Sequence, residues 1–176
     1  TAPLAPSHQA NKYATLPQAR GMDLYDIDEF RRWHREAAIR AKKAGADIVY
    51  VYCAHNVALP MHFLLQRYNR RRDAYGGKLE NRARLLRELL EDTKDAVGDS
   101  CAVALRFAVD ERIGEAGLEW QNEGREVVES ALGDELSAEH VPNLGLEGRD
   151  LVDPIRGHRS VHAGLGGHGR DRLDRK

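Results

Sequence analysis

Two glycines punctuate this chain in the same way, and the repetition limits its fold more than any other feature. Gly45 closes a helical stripe and precedes the apolar run Ile48-Val49-Tyr50-Val51-Tyr52. Gly98 closes another and precedes Ala102-Val103-Ala104-Leu105-Arg106-Phe107. Glycine suits both places because it enters the left-handed region that ends a helix at little steric cost. With a third helical stretch over about Glu123 to Leu132, the order is helix, strand, helix, strand, helix. Short glycine connections after helices, in that order, mark repeated parallel βα units. A doubly wound sheet and a (β/α)8 barrel both satisfy the pattern.

The elements carry their own signals. Asp26, with Glu29 three residues on, has the spacing of a capping box, so the first helix is expected to begin there. Ile27, Phe30, Trp33, Ala37, Ala41 and Ala44 recur at helical spacing and predict its buried face. The run Ile48 to Tyr52 is β-branched and aromatic on both faces and predicts a fully buried strand. A second helix is predicted over roughly Leu79 to Val97, with Leu79, Ala83, Leu86, Leu90, Thr93 and Val97 in one stripe. Glu80/Arg84, Arg84/Glu88 and Arg87/Glu91 are spaced as i,i+4 pairs on its solvent side. Residues 1–23, with Pro3, Pro6 and Pro17, read as an extended connecting loop.

Composition divides the chain. All 11 aromatic residues lie at or before Trp120, whereas 8 of the 16 glycines fall within residues 133–176. Residues 1–132 therefore read as the folded βα part and 133–176 as an irregular or disordered tail. The loss of pattern is abrupt enough to suggest a shift of reading frame near residue 133, which resequencing the coding DNA tests. A net charge of −1 gives no support for a nucleic-acid or membrane-surface partner. No apolar run approaches the roughly 18 residues of a membrane span. Cys53 and Cys101 both sit in apolar segments, and no signal peptide is visible at the start of the sequence, so a reducing, cytoplasmic setting is expected.

Chemistry is sought at the C-terminal ends of the strands, where βα folds collect it. The first strand ends in Tyr52-Cys53-Ala54-His55. If Tyr50 and Tyr52 share one face, Tyr52 points inward near the mouth with His55 just beyond. A phenol beside an imidazole can orient a polar substrate or move a proton. The plainer reading is a packed tyrosine and a hydrogen-bonded loop histidine. Arg106 ends the second strand on the face of Ala102 and Ala104, so its charge projects over a small-residue floor. It calls either for an anionic or electron-rich ligand or for a carboxylate on another strand. The loop from Tyr68 to Gly77 interleaves arginine and aromatics, but Asp73 and the neutral charge favour a tightly bonded Gly-Gly turn over a nucleic-acid patch. His158 and His162 have a spacing that a helix could offer a metal, with no third ligand in view.

The segment Tyr68 to Arg82 resembles the signature Y-N-x-R-T-D-x-Y-G-G-S-x-E-N-R of the old yellow enzyme family of FMN-dependent oxidoreductases. It matches at Tyr68, Asn69, Arg71, Asp73, Tyr75, Gly76, Gly77, Glu80, Asn81 and Arg82, and departs at Arg72 and Lys78. Asp47 to His55 is similar to the trimethylamine and dimethylamine dehydrogenase branch, which carries Tyr and His where this chain has Tyr52 and His55. The resemblance runs from about residue 1 to 130.

What the resemblance implies is a (β/α)8 barrel, present here only in part, with FMN at its mouth. Tyr52 and His55 would flank the substrate, and Arg106 would lie beside the N1/C2 carbonyl edge of the flavin. The implied reaction is oxidation of a small secondary or tertiary amine to an iminium that water hydrolyses. The alternatives are an NAD(P)H-dependent enone reductase of the same family, or a non-catalytic remnant serving as a binding module. Amine-branch relatives also have a flavin-linking cysteine, a catalytic Asp on a later strand, phosphate-binding loops and an iron–sulfur cluster. None of these can be placed here, and two cysteines cannot ligate a cluster. The resemblance is compatible with an oligomer, and it implies that the chain alone is inactive.

Overall fold

A computed structural model describes residues 3–10, 18–111, 117–119, 123–132 and 159–165. Three short strands come first: β1 (Leu4–Ala5), β2 (Gln9–Ala10) and β3 (Gln18–Gly21). β3 pairs parallel with β1 and antiparallel with β2, so the opening segment is partly a small sheet rather than a loop throughout. Then follow α1 (Leu24–Lys43), β4 (Ile48–Cys53), α2 (Leu59–Leu64), α3 (Leu79–Arg82), α4 (Arg84–Val97), β5 (Ala102–Asp110), α5 (Arg125–Leu132) and β6 (Arg159–Leu165). β4 and β5 are parallel neighbours in unbroken register from Ile48↔Ala102 to Cys53↔Phe107. They form the βα core that the two glycines announced, and Gly45 and Gly98 hold φ of 88° and 62° after their helices. Among the described residues, no helix is long and apolar enough to cross a membrane.

Helix α1 starts one turn earlier than its sequence suggests. Asp23 is the N-cap, its side chain accepting from the Asp26 backbone N–H while Asp26 accepts from that of Asp23. Asp26 is thus the far half of the box, not its start. A bidentate contact from Arg20, at 2.6 and 2.8 Å, holds its carboxyl well below the usual carboxylate range. Glu29 pairs with Arg32 instead. The first turn was hidden because Leu24 and Tyr25 are exposed, which no apolar periodicity reveals.

The buried face of α1 is also rotated from the expected one. Ile27 and Ala38 are buried, while Trp33 is 49% exposed. Charged and polar groups occupy much of the seam with α4. Arg31 meets Asp92 at 2.7 Å and Glu88 at 3.2 Å, and His34 Nε2 lies 3.1 Å from Thr93 Oγ1. Burial lowers the His34 pKa. Cross-helix ion pairs therefore do part of the work assigned to an alanine and tryptophan stripe.

Helix α4 buries Leu85, Leu86, Leu89, Leu90, Thr93 and Val97. The single helix expected over Leu79–Val97 is two, α3 and α4, meeting at Ala83. Within α4 the expected Leu86, Leu90, Thr93 and Val97 are buried, and Leu85 and Leu89 widen the stripe. The expected i,i+4 charge pairs give way to longer-range bonds: Arg84 donates to Ala74 O, Arg87 to Glu80 O and Ser130 Oγ, and Glu88 accepts from the Tyr75 hydroxyl. Burial, with Glu88 alongside, pushes Tyr75 up to about 12.

The strand pair is covered on one side only. Val51, Cys53, Val103, Leu105 and Phe107 are buried against the helices. On the other face Ile48 and Tyr50 stand 50% and 51% exposed. The expectation of a fully buried β4 is corrected here: its second apolar face lies open, as the inner face of a barrel does when further strands are needed to close it. β6 lies inside the segment read as irregular and pairs antiparallel with β5. Val161, Ala163 and Leu165 alternate with Ser160, His162 and Gly164, a period of two, and an open strand edge is a ready template for pairing.

The Tyr68–Gly77 loop is a bonded structure, as its composition suggested. Buried Asn69 donates to Phe63 O and Tyr75 O at 2.6 and 2.7 Å, and its oxygen accepts from Arg71 N. Arg71 reaches back to Pro6 O and Met22 O, and its pair with Asp73 is 2.5 Å. The two glycines serve different ends. A Cβ on Gly76 would lie within 2.6 Å of the Arg71 carbonyl carbon, whereas Gly77 has open space but a φ of +81°. Gly76→Ala is expected to cost about 3 kcal/mol because backbone must move. Gly77→Ala should cost only ~1 kcal/mol of left-handed strain. Urea unfolding checks the contrast, and equal losses would refute the steric account.

Candidate active site

Register and alternation decide which side chains meet. In the parallel pair Tyr52 lies opposite Arg106, two residues from the open face's Tyr50 and Ala104. Both therefore project from the open face, Tyr52 one residue from the end of β4 and Arg106 over the floor of Ala102 and Ala104. Arg106 does not end its strand as expected but stands in the middle of β5, which runs on to Asp110. The Arg106 guanidinium carbon is 5.7 Å from the centre of the Tyr52 ring. At this range the charge is attracted to the ring face.

His55 reaches the same place by a different route. Immediately beyond β4, His55 and Asn56 hold φ of 58° and 51°, the left-handed region that non-glycine residues adopt at a cost. Two such residues in succession turn the chain back over the strand end. The His55 ring comes to 5.8 Å from the Tyr52 ring, and the Tyr52 hydroxyl is hydrogen-bonded to His55 Nδ1. The three residues singled out from the sequence, Tyr52, His55 and Arg106, are thus brought together with Tyr52 in the middle. The hydrogen bond is common to both readings of the pair, a packed tyrosine with a hydrogen-bonded loop histidine and a phenol–imidazole pair set to handle a substrate.

Arg106 is the third member of this group. Among the described residues it has no carboxylate partner, and its Nε is buried with no hydrogen-bond acceptor. An unsatisfied buried guanidinium N–H is costly unless something supplies an acceptor. The site therefore fits a ligand that brings an electron-rich carbonyl or an anion to that edge.

The surroundings contain residues that spacing alone passed over. Asn56 Nδ2 donates to the Tyr68 hydroxyl at 3.1 Å, and His62 Nε2 lies 3.1 Å from Asn56 O. Burial lowers the His62 pKa. Arg67 forms a 2.6 Å ion pair with Glu111, which is buried just past β5. The preference of asparagine for left-handed backbone was the one legible signal for Asn56.

Cys53 faces the helices, fully buried, and burial pushes its thiol well above its ordinary range. It is a core residue, and a buried thiol held in its protonated form is a poor nucleophile. Among the described residues no group of three or more His, Cys, Asp or Glu could hold a metal ion, and the His158–His162 pair lies outside them because residue 158 is not described.

Comparison with known proteins agrees with the geometry. Over 132 residues the chain is 40% identical to dimethylamine dehydrogenase of Hyphomicrobium sp. (strain x), covering 72% of this chain and 18% of that protein. The solved structure of 6-hydroxypseudooxynicotine amine oxidase from Pseudomonas geniculata N1 superposes with a TM-score of 0.71 at 56% identity, over 74% of this chain and 20% of that one. Histamine dehydrogenase from Rhizobium sp. 4-9 gives 0.69 at 46% identity, over 75% and 19%. The chain spans about a fifth of the length of these relatives. The structural neighbours are TIM barrels of the old yellow enzyme family, and β4 and β5 with their helices form part of such a barrel. Residues 1–141 match the NADH:flavin oxidoreductase / NADH oxidase family throughout, and the chain belongs to that family.

Proposed function

We propose that this segment supplies the substrate-facing wall of an FMN-dependent oxidoreductase that oxidises a small secondary or tertiary amine. The observation that carries the reading is the Tyr52–His55 hydrogen bond set beside an Arg106 whose Nε has no acceptor. Bound at this mouth, FMN supplies the two-electron acceptor. Arg106 would hold its electron-rich carbonyl edge, where a fixed positive charge stabilises added negative charge.

Tyr52 and His55 would handle the amine. Oxidation at the carbon next to nitrogen needs the nitrogen lone pair, so an ammonium must first lose its proton. With its own proton directed to His55 Nδ1, the Tyr52 oxygen keeps lone pairs for an amine N–H. The linked phenol and imidazole can then accept that proton together. The relatives named for dimethylamine, histamine and 6-hydroxypseudooxynicotine support an amine over other donors. A cytoplasmic setting accompanies the proposal.

The activity belongs to this segment joined to further barrel strands, because phosphate-binding loops of such barrels follow later strands. The 176-residue chain alone is expected to bind FMN weakly or not at all in equilibrium dialysis. The decisive experiment exchanges residues 1–132 for the matching segment of dimethylamine dehydrogenase. Anaerobic bleaching of bound flavin by an amine supports the proposal. Bleaching by NADPH with turnover of an enone, and none by amines, would replace it with an enone reductase.

A further inference from the structure

We infer that Asn56 is a positioning residue that holds the His55 turn against Tyr52 through a brace running to the end of β5. Asn56 keeps a left-handed backbone that glycine would adopt more cheaply, and its Oδ1 is buried without a partner. A residue bearing both costs is compensated by what else it does. Here its amide ties the turn to the Tyr68 hydroxyl, and its carbonyl receives His62 Nε2.

The tether is itself anchored. The His62 and Tyr68 rings are 4.6 Å apart, and the Arg67 guanidinium carbon lies 4.8 Å from the Tyr68 ring centre. Arg67 is clamped by both oxygens of Glu111, at 2.6 and 2.9 Å. Glu111 follows directly on β5, the strand that carries Arg106. Its backbone N–H donates to Leu118 O and its side chain accepts from Leu118 N, so it is fixed from two sides. The brace Asn56–Tyr68–Arg67–Glu111 therefore links the loop that presents His55 to the strand that presents Arg106. It sets their separation without touching substrate.

The inference rests on the reading of Tyr52 and His55 as the substrate-facing pair, but its test needs neither flavin nor amine. Failure of amine oxidation and failure of the brace are thus told apart. Long-range proton–nitrogen NMR correlation of the His55 imidazole reports which ring nitrogen carries the proton. A Tyr52 hydroxyl donating to Nδ1 leaves the proton on Nε2, so the parent chain is expected to show one dominant tautomer. In Asn56→Gly, which keeps the backbone freedom and removes the tether, the tautomer ratio should fall about fivefold. Tyr68→Phe, which deletes only the tether's far oxygen, should do the same. It carries the test if the glycine variant fails to fold. Asn56→Asp should retain the parent ratio, since its carboxylate accepts from the Tyr68 hydroxyl. An unchanged ratio in Asn56→Gly or Tyr68→Phe chains that keep the parent amide spectrum would overturn the inference.

Discussion

Arg82→Ala is expected to cost about 3–5 kcal/mol of folding stability, from truncation of a large core side chain together with the buried hydrogen bonds it leaves unmade. Arg82 is 2% exposed and spends its guanidinium on three separate segments. It donates to Leu64 O at the end of α2, to Gly77 O at 3.0 Å, and to Glu123 at 2.5 Å. Truncation leaves two buried carbonyls without donors, opens a side-chain-sized void and strands Glu123. Against a total of roughly 5–15 kcal/mol for a natural domain, such a loss removes a large fraction of the folded population. Arg82→Lys should recover only part of it, because one ammonium cannot span three acceptors that a planar fork reaches. Urea unfolding followed by circular dichroism gives the answer. A loss below about 1 kcal/mol for the alanine variant would show that the three contacts contribute little.

Tyr52→Phe is expected to lower amine oxidation by the segment-exchanged dehydrogenase by about 10²–10⁴-fold, the range of a positioned acid–base group. The substitution removes one oxygen and keeps the ring over which Arg106 lies, so flavin binding should change little. The loss should fall mainly on the reductive half-reaction and grow smaller as pH rises and more amine is already neutral. Stopped-flow reduction across a pH series separates this from a packing defect, which would lower the rate equally at every pH. A rate within threefold of the parent would remove Tyr52 from proton handling.

These two predictions concern residues of different kinds, and the sequence exposes them unequally. Most of the matched signature, from Tyr68 to Arg82, is architecture. Asn69, Arg71, Asp73, Gly76 and Arg82 bond a loop that joins the N-terminal segment, α2 and α4. That explains how so specific a pattern can contain few atoms suited to chemistry. The tightly bonded turn expected of the Tyr68–Gly77 loop is present, with Arg71 held by backbone carbonyls and Asp73, and Arg82 beyond it is held by backbone carbonyls and Glu123. The residues suited to chemistry lie outside the signature, at the end of β4, in the turn beyond it and in the middle of β5.

Local pattern by itself determined the βα order, the two glycine stops, the α4 stripe and the pairing of Tyr52 with the mouth of the fold. Each of these depends on periodicity or backbone preference within a few residues, which a single sequence displays. It missed the start of α1, because a capping box built from Asp23 and Asp26 is followed by exposed Leu24 and Tyr25. It also missed β6, whose seven residues gain an identity as strand only from the edge of β5. Tertiary structure alone decided that one face of β4 is open, that Arg106 lies over Tyr52, and that a turn braced by Asn56 brings His55 to the phenol. The reason is physical: these depend on strand register, left-handed backbone and contacts between segments tens of residues apart. Such terms are set by the packed chain and leave no periodic trace along it.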